Sequence, residues 1–128
     1  MTGPPVPNVD GVPGALKVAF PEYGRQIDAL MTHMAEYGGV IDYRLISEVF
    51  RWEILKRAMA TGNPALLRDA YAFIERLLGS PDQSVRDATE IRIVPHMLQD
   101  PTWSERTRQL AGPLLRGALD REEDAGDT

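Results

Sequence analysis

The side chains in this sequence best suited to chemistry are two histidines, His33 and His96. His33 precedes Glu36 by three residues, which on a helix places an imidazole and a carboxylate one turn apart, a spacing that two metal ligands can use. A di-iron helical bundle needs Glu-x-x-His on two helices, but Leu30 and Ile93 hold the positions three residues before the histidines. The sequence therefore predicts neither a metal site nor a cofactor.

The hydroxyl side chains also lack the sequence surroundings of a nucleophile. The candidates are Ser47, Ser80, Ser84 and Thr89, and none lies in a Gly-x-Ser-x-Gly motif. Glycine-rich phosphate-binding motifs are missing, and the sequence has no cysteine to serve as a nucleophile or thiolate ligand. The sequence contains 19 acidic residues, so a catalytic pair of carboxylates stays open as an alternative. We expect no catalytic residues and predict that the protein is not an enzyme.

The charge distribution bears on the class of partner. The formal net charge is -5, but residues 120–128 carry five acids and one base, so the rest of the chain is nearly neutral. Sequence-independent nucleic-acid binding needs clustered Lys and Arg, so no nucleic acid is expected. The sequence contains no apolar run of about 18 residues and no signal peptide pattern. We therefore predict a cytoplasmic protein that does not bind a membrane.

The 128 residues suffice for one domain. Residues 1–14 contain four prolines, three glycines and no periodic apolar run. Such a segment buries too little apolar surface to offset the conformational entropy that it would lose on folding. We predict a disordered N-terminal tail over residues 1–18, a single helical domain over residues 19–119 and an acidic C-terminal tail over residues 120–128.

Turn-forming residues divide the middle of the chain at regular distances. The breaks are Gly38-Gly39, Gly62-Asn63-Pro64, Gly79-Ser80-Pro81 and Asp100-Pro101. The intervening pieces have the length of ordinary helices joined by tight turns. The prediction is an all-α fold of about five helices in antiparallel hairpins. We favour a short HEAT-like stack of hairpins over an irregular or closed helical bundle.

The breaks also predict how the helices begin and end. Gly62 and Gly79 suit the left-handed conformation that ends a helix, and Asn63 and Ser80 suit the cap of the next one. The pairs Ser80–Gln83 and Thr102–Glu105 have the spacing of capping boxes.

Two prolines interrupt apolar segments. Pro95 predicts a break near Val94, and the neighbouring His96 is predicted to hydrogen-bond a carbonyl that the break releases. Gly112-Pro113 predicts a helix that ends near Ala111 and resumes at Pro113.

The two tryptophans receive different predictions. Trp52 belongs to an apolar stripe at steps of three and four and is assigned to the core. Trp103 follows Pro101 at a helix start, where it covers the end of the stack or remains partly exposed for contact with a partner.

The sequence between Leu66 and about Gly117 resembles a family of small, uncharacterised bacterial helical domains with HEAT-like hairpins. The resemblance is carried by Ala72-Phe73-Ile74-Glu75-Arg76-Leu77-Leu78-Gly79-Ser80, by Asp82, Val85 and Ala88, by Met97-Leu98, and by Leu110-Ala111-Gly112-Pro113-Leu114-Leu115. Members of that group resemble immunity proteins, which neutralise a cognate toxin. The resemblance implies a non-catalytic protein-binding module and no catalytic residues.

An immunity-type protein would present acidic side chains to a basic groove of its toxin, because complementary charge speeds encounter. The candidate partner-binding residues are Glu48, Glu53, Asp82, Asp87, Glu90 and Trp103. One alternative is a small-ligand or regulatory domain with an interhelical pocket around His33, Glu36 and Tyr37. Another is a scaffold subunit that dimerises through an apolar face. The expected state is a monomer or a weak homodimer.

Overall fold

The computed structural model describes residues 4–39 and 41–126. Within these ranges the chain is almost entirely helical and contains no strand, which confirms the all-α class. The helices are α1 (Val12–Ala19), α2 (Gly24–Tyr37), α3 (residues 41–61), α4 (Pro64–Leu78), α5 (Gln83–Arg92), α6 (Val94–Gln99), α7 (Pro101–Leu110) and α8 (Pro113–Gly126). Short 3₁₀ turns at Val9–Gly11 and Pro21–Tyr23 flank α1.

The predicted number of about five helices is too low. The described residues contain seven helices of eight or more residues, together with the short α6. The additional long helices are α1, which the Pro- and Gly-rich composition concealed, and α8, which follows the break at Gly112-Pro113. Pro95 lies in the first turn of α6, and Ile93 separates α6 from α5. The predicted break near Val94 is therefore confirmed.

Helix α3 is central to the packing because it contacts α1, α2, α4 and α5. Its middle portion, Leu45–Leu55, is a π-helix, flanked by α-helical turns at Ile41–Arg44 and Lys56–Thr61. The buried residues along it are Leu45, Ile46, Val49, Phe50, Ile54, Leu55, Ala58 and Met59. They recur as pairs at steps of four and five, as expected for the wider turn of a π-helix. Trp52 falls between the pairs and is 57% exposed, so the core assignment of Trp52 is wrong.

Three phenylalanines form the centre of the core. Phe20, Phe50 and Phe73 come from three different parts of the chain, and their ring centroids are 5.3 to 6.0 Å apart. Each is at most 2% exposed. Tilted and edge-on ring pairs of this kind stabilise a core beyond the area that they bury. The cluster therefore joins the segment after α1 to α3 and α4.

The N-terminal segment differs from the predicted tail over residues 1–18. Residues 1–3 lie outside the described residues, but Val6 is fully buried and its amide donates to the Arg76 carbonyl at 3.0 Å. The Val9 amide donates to Asp82 Oδ2 at 3.1 Å. Helix α1 buries Val12 and Leu16. A few apolar side chains and backbone hydrogen bonds therefore anchor a segment whose average composition is typical of a tail.

The C-terminal segment also differs from the predicted acidic tail over residues 120–128. Helix α8 continues to Gly126, and residues 127–128 lie outside the described part of the chain. Arg121 pairs with Glu90 of α5, and Arg108 of α7 pairs with Glu123. Arg121 and Glu123, which the sequence places in a tail, therefore form ion pairs with other helices.

The helix caps follow the prediction at one break and depart from it at two. Gly62 has φ 64°, and the Asn63 side chain accepts from two amides of α4, as predicted. Gly79 has φ -84°, and α5 is capped by Asp82 rather than Ser80. Asp100, not Thr102, accepts the amides at the start of α7. Both predicted capping boxes are therefore wrong, because an aspartate occupies each cap position.

Candidate functional site

An open cleft of about 730 Å³ lies between the second half of α3 and the region from α6 to the start of α7. The lining residues are Arg51, Trp52, Lys56, Met59, Ala60, His96, Gln99, Asp100, Pro101, Thr102, Trp103 and Arg106. The break at Pro101 directs α7 back toward α3, and α3 presents one of its exposed faces there. Both tryptophans of the protein line this one cleft.

The aromatic side chains give the cleft an apolar wall. Trp52 is more than half exposed, whereas Trp103 is partly buried and packs against the core. The Lys56 ammonium lies 4.0 Å from the centroid of the Trp52 ring, a cation–π distance. The site therefore combines accessible aromatic surface with positive charge.

Arg51 is held in place in the lining of the cleft by two contacts. Its Nη1 donates to the Arg92 carbonyl oxygen at 3.0 Å and lies 2.8 Å from His96 Nε2. Because a guanidinium has no acceptor, His96 Nε2 must accept, which requires a neutral imidazole with its proton on Nδ1. The prediction for His96 is therefore wrong, since Arg51 rather than the imidazole binds the carbonyl near the break.

The protonation of this pair follows from its surroundings. Burial, together with the positive charges of Arg51 and Arg92, lowers the pKa of His96 below its ordinary value. Burial and the charge of Arg92 also lower the pKa of Arg51 from the ordinary arginine range. The arrangement favours a neutral His96 beside a cationic Arg51 at neutral pH.

Arg106 and Asp100 occupy the α7 side of the cleft. Arg106 Nη1 donates to the Met59 carbonyl oxygen at 3.4 Å across the cleft. Asp100 Oδ1 accepts from the amides of Thr102 and Trp103 at 2.8 and 3.4 Å, so the carboxylate is engaged as a helix cap.

Arg51, Lys56 and Arg106 have no carboxylate within ion-pair distance among the described residues. In a protein with a net charge of -5, the cleft thus carries three cations and one acid. Such a site is electrostatically suited to an anionic group.

A buried hydrogen bond supports the wall behind the cleft. The hydroxyls of Tyr71 in α4 and Thr107 in α7 are 2.6 Å apart, and both residues are buried. Burial raises the pKa of Tyr71 to about 12, so the phenol stays protonated through the physiological range. This contact fixes α7, and with it the neighbouring Arg106, against α4.

The acidic residues predicted to bind a partner are dispersed. Glu48 pairs with Arg44 at 2.6 Å, and Glu53 is exposed. The Asp82 carboxylate caps α5 and accepts the Val9 amide. None of these three lines the cleft.

Asp87 and Glu90 do come together, in a separate hollow of about 260 Å³ next to Arg121. Of the predicted partner-binding residues, Trp103 alone lies in the described cleft lining. The sequence therefore predicts Trp103 of this cleft as a partner contact but does not single out the cations Arg51, Lys56 and Arg106.

The other residues with side chains suited to chemistry lie outside the cleft, and the rings of His33 and Tyr37 contact each other with their centroids 4.8 Å apart. His33, Glu36 and Tyr37 are exposed on α2, and the cleft lies elsewhere than at this alternative pocket position. The Ser47 hydroxyl is buried without a hydrogen-bond partner among the described residues. Ser80 accepts the Asp82 amide, and Thr89 donates to the Val85 carbonyl.

Within residues 4–39 and 41–126, no group of three or more His, Asp or Glu side chains is arranged to hold a metal ion. None of the helices there combines the length and apolarity that crossing a membrane requires.

Comparison with known proteins identifies one family. A family model described as a domain of unknown function (DUF7674) matches residues 13–125. No curated protein and no solved structure matches the chain.

Proposed function

The chain belongs to the DUF7674 family, a domain of unknown function, and we propose that it is a non-catalytic binding module that docks a protein partner in the cleft between α3 and α7. The observation that carries the proposal is the convergence of both tryptophans and three cations, which have no carboxylate partner among the described residues, on one open cleft.

The composition of the cleft is typical of a protein interface. Tryptophan and arginine are enriched among residues whose truncation costs the most binding energy, and the cleft contains two of each. The opposing contributions of α3 and α7 create a concave site rather than a flat one. A partner side chain inserted there would be surrounded by apolar and cationic groups, which gives both affinity and orientation.

A protein segment fits this cleft better than a small molecule does. Small-molecule sites usually bury most of the ligand surface, but Trp52 on the wall is 57% exposed. An extended segment can cover the exposed face of Trp52 and also reach the neighbouring Arg51 in the same lining. This difference favours a docking site over an enclosed ligand pocket.

A narrower form of the proposal is neutralisation of a toxin, which the resemblance to HEAT-like immunity domains implies. In this form the toxin would contact the cationic cleft rather than the acidic helix faces. The charge of the cleft supports an acidic contact surface on the toxin, because complementary charges align the partners during encounter.

Co-expression with the product of the neighbouring gene, followed by gel filtration, tests the proposal. We expect a complex with the unmodified protein and at least about a tenfold weaker complex with Trp52→Ala, the change typical of an interface hot spot. The matched control is Ile91→Ala, which removes an exposed apolar side chain outside the cleft lining. A monomer peak alone, or a complex that Trp52→Ala leaves intact, would count against docking in the cleft.

A further inference from the structure

We infer that the docked segment is an acidic peptide, with a carboxylate that pairs with Arg51 and an apolar or aromatic side chain that packs against Trp52 and Trp103. This inference rests on the proposed function, and it specifies the chemistry of the partner rather than the existence of one.

The guanidinium of Arg51 has one edge engaged and one edge open. Nη1 makes both recorded contacts, to the Arg92 carbonyl and to His96 Nε2. Within the described residues, Nε and Nη2 have no acceptor, and these two nitrogens form the edge that binds a carboxylate through two parallel hydrogen bonds. Because Nη1 is anchored, the open edge is already oriented before a ligand arrives.

The N-terminus of α7, which lies in the cleft, is already occupied by a carboxylate of the protein itself. Asp100 lines the same cleft, and its carboxylate already accepts the first amides of α7, which would otherwise attract an anion. The group that remains to bind an anion through directed hydrogen bonds is the open planar edge of Arg51, which matches a carboxylate.

The apolar wall requires a second side chain on the ligand. Trp52, Met59, Pro101 and Trp103 provide apolar lining that a bare carboxylate leaves uncovered. An apolar or aromatic side chain near the acid would remove this surface from water, and burial of such surface is favourable. The cleft therefore matches a segment in which acidic and aromatic residues are neighbours.

Tryptophan fluorescence titrations of the full chain with capped synthetic peptides test the inference. The probes are a peptide of alternating Asp and Phe, a matched Asn and Phe peptide, and a matched Asp and Ala peptide. A peptide with phosphoserine in place of Asp and inorganic phosphate alone complete the set. We expect the Asp and Phe peptide to bind at least about tenfold more tightly than each of the others, the change typical of losing a charged hydrogen bond or a buried aromatic ring.

The variant Arg51→Lys keeps the positive charge but loses the planar edge. We expect it to weaken the Asp and Phe peptide about tenfold and to leave the Asn and Phe peptide nearly unchanged. Arg116→Lys, an exposed change outside the cleft lining, is the matched control. Circular dichroism melting checks that both variants fold.

Equal binding of the Asp and Asn peptides, tighter binding of the phosphopeptide, or no effect of Arg51→Lys would overturn the acidic-peptide inference. These outcomes differ from failure of the proposed function, which is judged by whether Trp52→Ala weakens the complex with the neighbouring gene product.

Discussion

Arg51 is the residue on which the electrostatics of the cleft depend. One side of its guanidinium is fixed by the Arg92 carbonyl and by His96, and its Nε and Nη2 have no acceptor among the described residues. Anchoring of this kind reduces the side-chain entropy that binding would otherwise cost. The contribution of His96 is positional, because a neutral imidazole accepts from Arg51 whereas an imidazolium would repel it.

The lowered pKa of His96 predicts a dependence of stability on pH. The fold lowers the pKa of His96 below the ordinary value of 6.5, near which the unfolded chain binds a proton. The unfolded state thus binds more protons as the pH falls below about 6.5, so this contribution to stability is present at pH 7.5 and declines toward pH 5.5.

Urea unfolding at several pH values measures this dependence. His96→Gln keeps an acceptor for Arg51 but does not titrate, so its free energy of unfolding is expected to fall less between pH 7.5 and 5.5 than that of the unmodified protein. Because the two proteins differ only at residue 96, the comparison isolates the contribution of that side chain. Identical pH profiles would show that His96 is not held neutral in the fold.

The roles of individual residues in the cleft were less predictable from the sequence than the helices and their boundaries. Arg51 carries no motif, and its role depends on Arg92 and His96, which lie more than 40 positions away. Trp103 was assigned to partner contact from its position at a helix start. With the period of an α-helix, the apolar pattern predicts a core position for Trp52. With the wider turn of the π-helix, Trp52 is exposed instead.

Helix ends show how elements are joined to one another. The Glu75 carboxylate of α4 accepts from the amides of Leu114 and Leu115 at 3.1 and 2.7 Å, so one helix caps the first turn of α8. A side chain at Gly112 would collide with this carboxylate. The glycine therefore leaves room for the Glu75 carboxylate at this helix end. The sequence places Glu75 only on a polar face, because a cap contributed from 39 positions away leaves no local pattern.

Glu75→Ala is expected to lower the free energy of unfolding by about 1 to 3 kcal/mol, because it removes a charged acceptor from two amides. Glu53→Ala provides the control, since Glu53 is exposed and has no recorded hydrogen bond among the described residues. Urea denaturation of the two variants compares them. Equal stability of the two variants would contradict the capping role of Glu75.

Element boundaries were predictable where the signal is local. Gly62 and Asn63 end one helix and cap the next as expected, and the break at Gly112-Pro113 lies where the sequence indicates. The π-helical portion of α3 was not predictable from the sequence. Its buried residues include sets at steps of three and four, which are also the spacing of an ordinary α-helix. This wider turn is the reason that Trp52 faces the cleft.

At the scale of the whole molecule, α3 organises both the core and the cleft. One side of it carries Phe50 into the phenylalanine cluster, and another presents Arg51 and Trp52 to solvent or to the cleft. Adjacent residues thus lie in the core and in the proposed docking cleft, respectively. The N-terminal segment completes the core from outside the helical hairpins, through the fully buried Val6.

The structural role of the N-terminal segment predicts unequal effects for two chemically identical substitutions. Val6→Ala removes fully buried methyl groups and is expected to cost about 1 to 3 kcal/mol of stability. Val18→Ala alters a side chain that is 81% exposed and is expected to change stability by less than about 0.5 kcal/mol. Thermal and urea unfolding measure both. If Val6→Ala is as mild as Val18→Ala, the segment behaves as a tail.

The most direct test of docking in the cleft uses the two tryptophan indole N–H signals in a proton–nitrogen correlation spectrum. Titration with the Asp and Phe peptide is predicted to shift the signals of both Trp52 and Trp103 to saturation, with a much weaker response in Arg51→Lys. If both indole signals stay in place while the peptide shifts signals on another face, the cleft is not the binding site.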